Sequence, residues 1–397
     1  VTALIIYGTG DLHIGQSMNY GKTDENGFPD KLREQQKLLA DFVTEAINKA
    51  DMVVFAGDYF PKHFRINPDA MRVLSEQILR LVEAKIPVKI LEGNHDKARI
   101  EALDSTVQMF SVFKLAGVEV IRKPCVQSYD DIDVLFVPHL IPAELAVYQK
   151  SDQDDVTAAM KNMLDDLLSQ TTKRAILFGH FGIAEAGRGS ETTMIAGNNI
   201  CVSADIFDRP ELAYCFLGHI HKSWKWQGNY TNVVYFGSMD RFDFAEAKDT
   251  KEYGIIQIAD EKVNYETIAV NARTFVDVKH YLGHDATIAF LEEYDFKDAV
   301  VKVNVEVDKD YTQGKKISEK IKDYITKAGA YHIHGISIVY RPSFVAKNSK
   351  VVESASVEDN LQRVILDEGF ANPADLYRAH IELSREIRAE DEAEAEK

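Results

Sequence analysis

The chain has 397 residues, 45% of them hydrophobic, and a formal net charge of −17. That length suits two or three domains, and the acidic excess argues against non-specific adhesion to nucleic acid, which depends on Lys and Arg neutralising phosphates. Three cysteines without a CxxC spacing support neither a disulfide framework nor a thiolate zinc site, and no apolar run is long enough for a membrane span, so a soluble cytoplasmic protein is expected.

In chain order, residues 4–6 form a short apolar strand that opens into Asp11-Leu12-His13-Ile14-Gly15. A carboxylate and an imidazole at i and i+2 share one face of an extended segment and can hold a metal ion; alone, the pair reads as a turn Asp beside a surface His. Gly15 and Gly21-Lys22-Thr23 imitate a phosphate loop, but five residues separate the glycines where the motif needs four, which rejects a nucleotide site. Residues 30–49 carry Leu32, Leu39, Phe42, Val43, Ala46 and Ile47 at helical spacing, a stripe that faces a core. The continuous apolar run 52–56 suits a parallel strand covered on both faces, and it delivers Gly57-Asp58, whose carboxylate can span two cations. A helix over 69–84 and a strand over 88–91 follow, ending in Gly93-Asn94-His95-Asp96. This rhythm predicts an α/β fold with parallel strands and its chemistry on the loops at their ends.

Further on, the pattern predicts a helix over 105–115, strands over 118–121 and 134–137, a helix over 156–168, and a strand over 174–178 ending in Gly179-His180-Phe181. Residues 182–199 read as a surface loop. A strand over 214–217 ends in Gly218-His219-Ile220-His221, and another over 233–236 leads to Gly237-Ser238-Met239-Asp240-Arg241. Residues 254–259 and 263–270 read as a closing hairpin. Then the pattern changes: Val301, Val303, Val305 and Val307 alternate with polar residues, Ile317, Ile321, Tyr324 and Ile325 mark a helix, and 331–340 a strand, which together make a separate β-α-β module. After a polar link over 347–356 two amphipathic helices are expected, the second opened by Asn372-Pro373. Such a pair suits docking on another protein's helices or folding back on its own chain equally well. Residues 351–397 also hold 13 acidic against 5 basic residues, so much of the negative charge belongs to a solvated tail.

Together the strand ends supply Asp11, His13, Asp58, Asn94, His95, His180, His219 and His221, all nitrogen or oxygen donors, which suit manganese, iron or zinc. Core histidines do not account for five such loops in series. The ordered motifs DxH, GD, GNHD, GH and GHxH resemble the calcineurin-like metallophosphoesterase superfamily. Within it, DLHIG, FGHF, YCFLGHIHK and YFGSMDRFDF resemble the SbcD-type DNA-repair nucleases, over nearly the whole chain.

The resemblance implies a four-layer α-β-β-α sandwich of two mixed sheets over residues 1–274, with a small α+β capping domain over 275–342. A linker over 343–356 and a helix-loop-helix over 357–397 would follow, the latter gripping the coiled coil of an SbcC-type ABC ATPase. Two divalent cations, manganese, are implied: one held by Asp11, His13, Asp58 and His221, the other by Asp58, Asn94, His180 and His219. His95 would face the scissile phosphate and stabilise or protonate the leaving oxygen, and His63 and Arg241 are candidates for substrate contact. The implied activity is that of a DNA exonuclease on duplex ends and an endonuclease on single strands or hairpins, in a repair or recombination complex. A homodimer within a heterotetramer, in the cytoplasm of a prokaryotic or phage-infected cell and away from membranes, completes the expectation. A small-molecule phosphodiesterase or phosphatase and a catalytically silent DNA-end-binding scaffold are the alternatives. The chain departs from the family at Pro61, where Asp or His is usual. His139, His280, His284, His332, His334 and His380 match no motif and read as surface or core histidines, and Cys215 as packing.

Overall fold

The computed structural model describes residues 3–62, 66–97, 105–151, 155–186, 200–285 and 287–341. It begins with β1 (Leu4–Thr9), α1 (Asp30–Lys49), β2 (Met52–Phe55), α2 (Pro68–Glu83), β3 (Val88–Leu91), α3 (Gln108–Val112) and β4 (Val118–Ile121). Next come β5 (Cys125–Ser128), β6 (Asp133–Val137), α4 (Pro142–Leu145), α5 (Val156–Leu168), β7 (Ala175–His180) and the two-residue strands β8 (Gly182–Ile183) and β9 (Cys201–Val202). The frame closes with β10 (Leu212–Gly218), β11 (Trp224–Gln227), β12 (Asn232–Tyr235), β13 (Glu252–Ala259) and β14 (Lys262–Ala269).

These strands build two mixed six-stranded sheets, in the orders β14-β13-β1-β2-β3-β4 and β11-β12-β10-β7-β6-β5. Alternation along each strand divides the side chains between two faces. On β1, Ile6 points into the space between the sheets, where it joins Val54, Leu91, Phe136, Phe178, Phe216 and Phe236. Its neighbour Tyr7 points outward and packs with Leu39, Phe42 and Val43 of α1 and with Leu74 and Ile78 of α2. On the second sheet, Leu135, Leu177 and Cys215 face outward onto Met160 and Leu164 of α5. Three apolar layers therefore lie among four layers of structure, α-β-β-α, and each fully buried large side chain contributes about 1.5–3 kcal/mol.

The helices start where local chemistry supplies their loose N–H groups with acceptors. The Asn67 carboxamide accepts from Asp69 N at 2.8 Å with Pro68 at the first helical position, and Asp155 accepts from Ala158 N at 2.8 Å. The helix expected over 105–115 is reduced to five residues. Thr106 is drawn instead onto Asp96, its N–H donating to the Asp96 carbonyl at 3.0 Å and its hydroxyl to the carboxylate at 3.3 Å. The strands β5, β11 and β15 (Phe275–Gly283) form where the sequence pattern predicts none.

Beyond β15 come β16 (Val300–Val307), α6 (Gly314–Lys327) and β17 (His332–Tyr340), with the sheet order β15-β16-β17. Val301, Val303 and Val305 of β16 are buried, as are Ile317, Ile321 and Ile325 of α6. The described residues separate into two compact units, one within Val1–His280, Thr287–Val305 and Lys315–Ser337, the other of residues 281–285, 306–314 and 338–341. Among the described residues no helix is long and apolar enough to cross a membrane. The link over 347–356, the two C-terminal helices, His63, His380 and most of the loop over 182–199 lie outside the described residues.

Candidate metal centre

β1 pairs in parallel with β2, and β2 with β3; β10 pairs in parallel with β7 and β12. The two sheets thus present several carboxyl ends on one side, and these ends approach each other. Gly10 bridges Ser238, and the His219 N–H donates to both Asp11 carboxylate oxygens at 2.9 and 3.0 Å. The loops after β1 and β2 continue side by side, with Asp11 N on Gly57 O, His13 N on Asp58 O and Ile14 N on Tyr59 O at 2.8–3.0 Å.

Holding the side chains there forces unusual backbone. Asp11, His13, Asp58 and His219 all have positive φ, at 51°, 39°, 59° and 104°. Non-glycine residues rarely accept that region, and such outliers cluster at functional sites. Gly93 is required by closeness rather than by φ: a Cβ there would lie 2.2 Å from Asp58 Oδ1 and 2.4 Å from Asp58 N. Asp96 locks the same corner, its carboxylate accepting from the N–H groups of Asp58, Tyr59 and Gly93 at 2.7–3.0 Å.

The outcome is two buried groups of ligand atoms, Asp11 with His13 and His221, and Asp58 with His180 and His219, each within 4.8 Å. Asn94 joins the second, its Oδ1 lying 2.9 Å from both His180 Nε2 and His219 Nδ1. Asp58 stands between the groups. Its Oδ2 is 3.8 Å from His13 Nε2 and 3.4 Å from His180 Nε2. The structure therefore brings all seven expected ligands to one place.

His95 sits at their edge, its ring 4.9 Å from that of His13 and nearly perpendicular to it. Its backbone N–H donates to Asp58 Oδ1 at 2.8 Å, and Nδ1 lies 2.7 Å from the Pro61 carbonyl oxygen. A carbonyl can only accept, so Nδ1 carries the hydrogen and Nε2 faces away from Pro61. Because the partner is a backbone oxygen, the substitution at Pro61 does not touch this bond. Arg241 is spoken for within the protein, donating to the carbonyls of Ala272, Arg273 and Asp249 at 2.6–3.1 Å.

The electrostatics suit cations. Burial pushes the Asp11 carboxyl up to about 7, against the opposing pull of His180 and His221. Burial pushes His13 well below its ordinary value, and His219 to about 3, with neighbouring imidazoles adding to the effect. Burial pulls His180 down as well, but the Asp58 charge, the Asp58 hydrogen bond and the Asp11 charge together outweigh it and lift His180 to about 9. His13 Nδ1 is buried without a hydrogen-bond partner, and His13 Nε2 faces His221 Nε2 at 3.0 Å. Two carboxylates and four imidazoles crowded out of water compete for too few protons. Divalent cations relieve the anionic charge and take up the ring nitrogens gathered there, so the donor set fits them.

Two buried residues beside the ligands carry no motif: His139, which reads from the sequence as a surface or core histidine and is buried, and Glu246. His139 stacks edge-on against His180 at 6.3 Å and is pushed to about 3, by burial and then by the His180 charge. The criterion that singled out His180, a histidine just past a buried strand, would have found it. Glu246 lies 2.9 Å from His221 Nδ1 and belongs to no motif that could have marked it. Burial raises its pKa, but the His221 bond and the Lys251 charge outweigh that and hold the carboxyl below its ordinary range.

Residues 4–223 match the calcineurin-like phosphoesterase family. The SbcD subunit of nuclease SbcCD from Staphylococcus saprophyticus is 26% identical over 268 residues, which cover 64% of this chain and 66% of that protein. Its counterpart in the Bacillus subtilis nuclease SbcCD is 22% identical across 96% of this chain and 98% of its own length. The DNA double-strand break repair protein Mre11 of Archaeoglobus fulgidus is 24% identical across 72% of this chain and 59% of that protein. A dimetal phosphatase from Danio rerio superposes with a TM-score of 0.43 and 12% identity, covering 67% of this chain and 96% of that one. The matched span takes in every strand end that bears a candidate ligand, and by that match the chain belongs to the calcineurin-like phosphoesterase family.

Proposed function

We propose that the protein is a two-metal DNA nuclease that works with an ABC-type ATPase. The observation that carries the reading is the single Asp58 oxygen within 3.4 and 3.8 Å of histidines from both ligand groups, the placement expected of a carboxylate shared by two cations. Asp11, His13, Asp58 and His221 would hold one ion, and Asp58, Asn94, His180 and His219 the other, with manganese as the metal. Bound there, the pair supplies Lewis-acid charge to phosphate oxygens and acidifies water at neutral pH. The chain's own residues do the rest. Asp58 keeps the two groups in register, the Asp96 carboxylate fixes the loops that carry Asp58 and Asn94, and His95, with Nδ1–H held by Pro61 and a second proton taken up from solvent on Nε2, would stabilise or protonate the leaving oxygen from Nε2.

DNA as the substrate rests on the relatives, named as nucleases and break-repair proteins. It is supported by the surroundings of Phe275 and His334, in the stretch 275–342 that we assign to capping. Tyr20 packs edge-on against Phe244, Phe275 and His334 at 4.7–5.5 Å, and Lys302 Nζ lies over the Phe244 ring at 5.6 Å. Phe275 is buried, so Tyr20, Phe244 and His334 beside the Lys302 ammonium are the rings a single strand would meet, and aromatic faces beside ammonium groups are the usual platform for single strands. Residues 357–397 are assigned to the ATPase, His63 to DNA contact, and the assembly to a homodimer within a heterotetramer of the cytoplasm; Arg241, its guanidinium bound to the carbonyls of Ala272, Arg273 and Asp249, instead holds the loop after β12 in place. The test is manganese-dependent digestion of end-labelled duplex and hairpin DNA, with and without the ATPase, beside a chromogenic phosphodiester. Rapid turnover of the chromogenic ester with DNA left intact would replace this reading by a small-molecule phosphodiesterase, and a chain that takes up no metal would replace it by a scaffold.

A further inference from the structure

His180 and His221 are both held with Nδ1 turned away from the ligand cluster, but by different groups. His180 Nδ1 meets the neutral Ala56 carbonyl at 2.6 Å, whereas His221 Nδ1 meets a carboxylate, Glu246 Oε1, at 2.9 Å. Glu246 is 1% exposed, and its other oxygen accepts from Lys251 Nζ at 2.8 Å and from Phe242 N at 3.1 Å. Lys251, itself 2% exposed, reaches on to Ser238 Oγ at 2.9 Å and to the His221 carbonyl at 3.2 Å. One buried ion pair thus grips His221 at both its ring and its backbone.

An imidazole that gives its N–H to a carboxylate has its tautomer set, and its other nitrogen becomes the stronger base. We infer that Glu246, braced by Lys251, is a positioning residue that fixes His221 in the Nδ1–H form and selectively supports the cation site of Asp11, His13 and His221. Behind His180 the Nδ1 partner is a neutral carbonyl in place of a carboxylate, so the two sites differ in what holds them. This inference rests on the two-cation reading and deepens it. It also accounts for a buried Lys and Glu beside the centre, a pair that apolar residues of similar size could replace at little cost in stability.

The test uses the full chain as wild type, as Glu246→Ala, and as the double variant Glu246→Gln/Lys251→Met, which leaves no lone buried charge. Nitrogen NMR of histidine-labelled, metal-free protein should show His221 as Nδ1–H in the wild type and as a tautomer mixture in Glu246→Ala. Calorimetric titration with Mn²⁺ should show two ions bound by the wild type. In the double variant one of those two steps should weaken by about 10–100-fold and the other stay unchanged. Two parental affinities in the double variant, or His221 as Nε2–H in the wild type, would overturn the inference. A wild type that binds fewer than two ions defeats the two-cation reading and takes this inference with it; the NMR result, which needs no metal, tells that failure from the other.

Discussion

Asp58 Oδ1 accepts the His95 N–H at 2.8 Å while Oδ2 faces His13 and His180, so one side chain touches both ligand groups and the loop of His95. Burial raises this carboxyl, yet the charges of His180 and then His95, with the His180 bond, outweigh burial and keep it ionised. Asp58→Asn keeps the shape and removes the shared charge. Metal analysis after dialysis against manganese should then find less than one ion per chain, with hydrolysis down by about 10²–10³-fold or more. His95→Asn should behave differently, because His95 belongs to neither ligand group. Its manganese content should match the wild type while single-turnover cleavage falls by about 10²–10⁴-fold. Parental cleavage by that variant would remove His95 from the leaving-group step.

The elements matter here through the ends of their strands. β3 delivers Gly93, where a methyl group would sit 2.2 Å from Asp58 Oδ1, too close for the loops after β2 and β3 to keep their places. Gly93→Ala should cost about 1–3 kcal/mol of stability and strip the centre of metal, read together from the melting temperature and the manganese content. At the opposite end of the second sheet, Asp133 opens β6 and closes the turn before β7. Its carboxylate accepts from the Ser128 hydroxyl and from the N–H groups of Thr172 and Lys173 at 2.7 and 2.9 Å. Burial pushes this carboxyl up, but those bonds outweigh it and hold the pKa below its ordinary value. A depressed folded pKa stabilises fully above the unfolded value, about 4, and the contribution is lost as pH falls through the folded one. Asp133→Asn should therefore lose about 1–3 kcal/mol near neutrality and progressively less below about pH 4. Urea unfolding at both pH values checks this, and a difference independent of pH would contradict it.

For the molecule as a whole, a net charge of −17 and buried carboxylates at the centre make bound cations a source of stability. Manganese at a hundred times its dissociation constant should stabilise the native state by about 2.7 kcal/mol per site, and a chelator should reverse the gain. Scanning calorimetry reads this directly, and a melting temperature indifferent to manganese would mean that no ion is held. Much of the frame could be read beforehand. β2, β6, β7 and β10 are covered on both faces and so appear in the chain as largely apolar runs, and β2, β7 and β10 lead into a glycine beside a ligand. β5 and β11 are edge strands with half-exposed side chains, and such strands leave no apolar run to find. The ligand types and their order along the chain needed no coordinates, since metal donors after buried strands are a local pattern. Which donors share an ion did need them. His13 and His221 stand 208 positions apart, and Glu246 meets His221 only because the order of strands in two sheets carries distant loops to one corner. Local spacing sets which face a side chain takes, whereas burial of the three apolar layers sets which strand ends become neighbours.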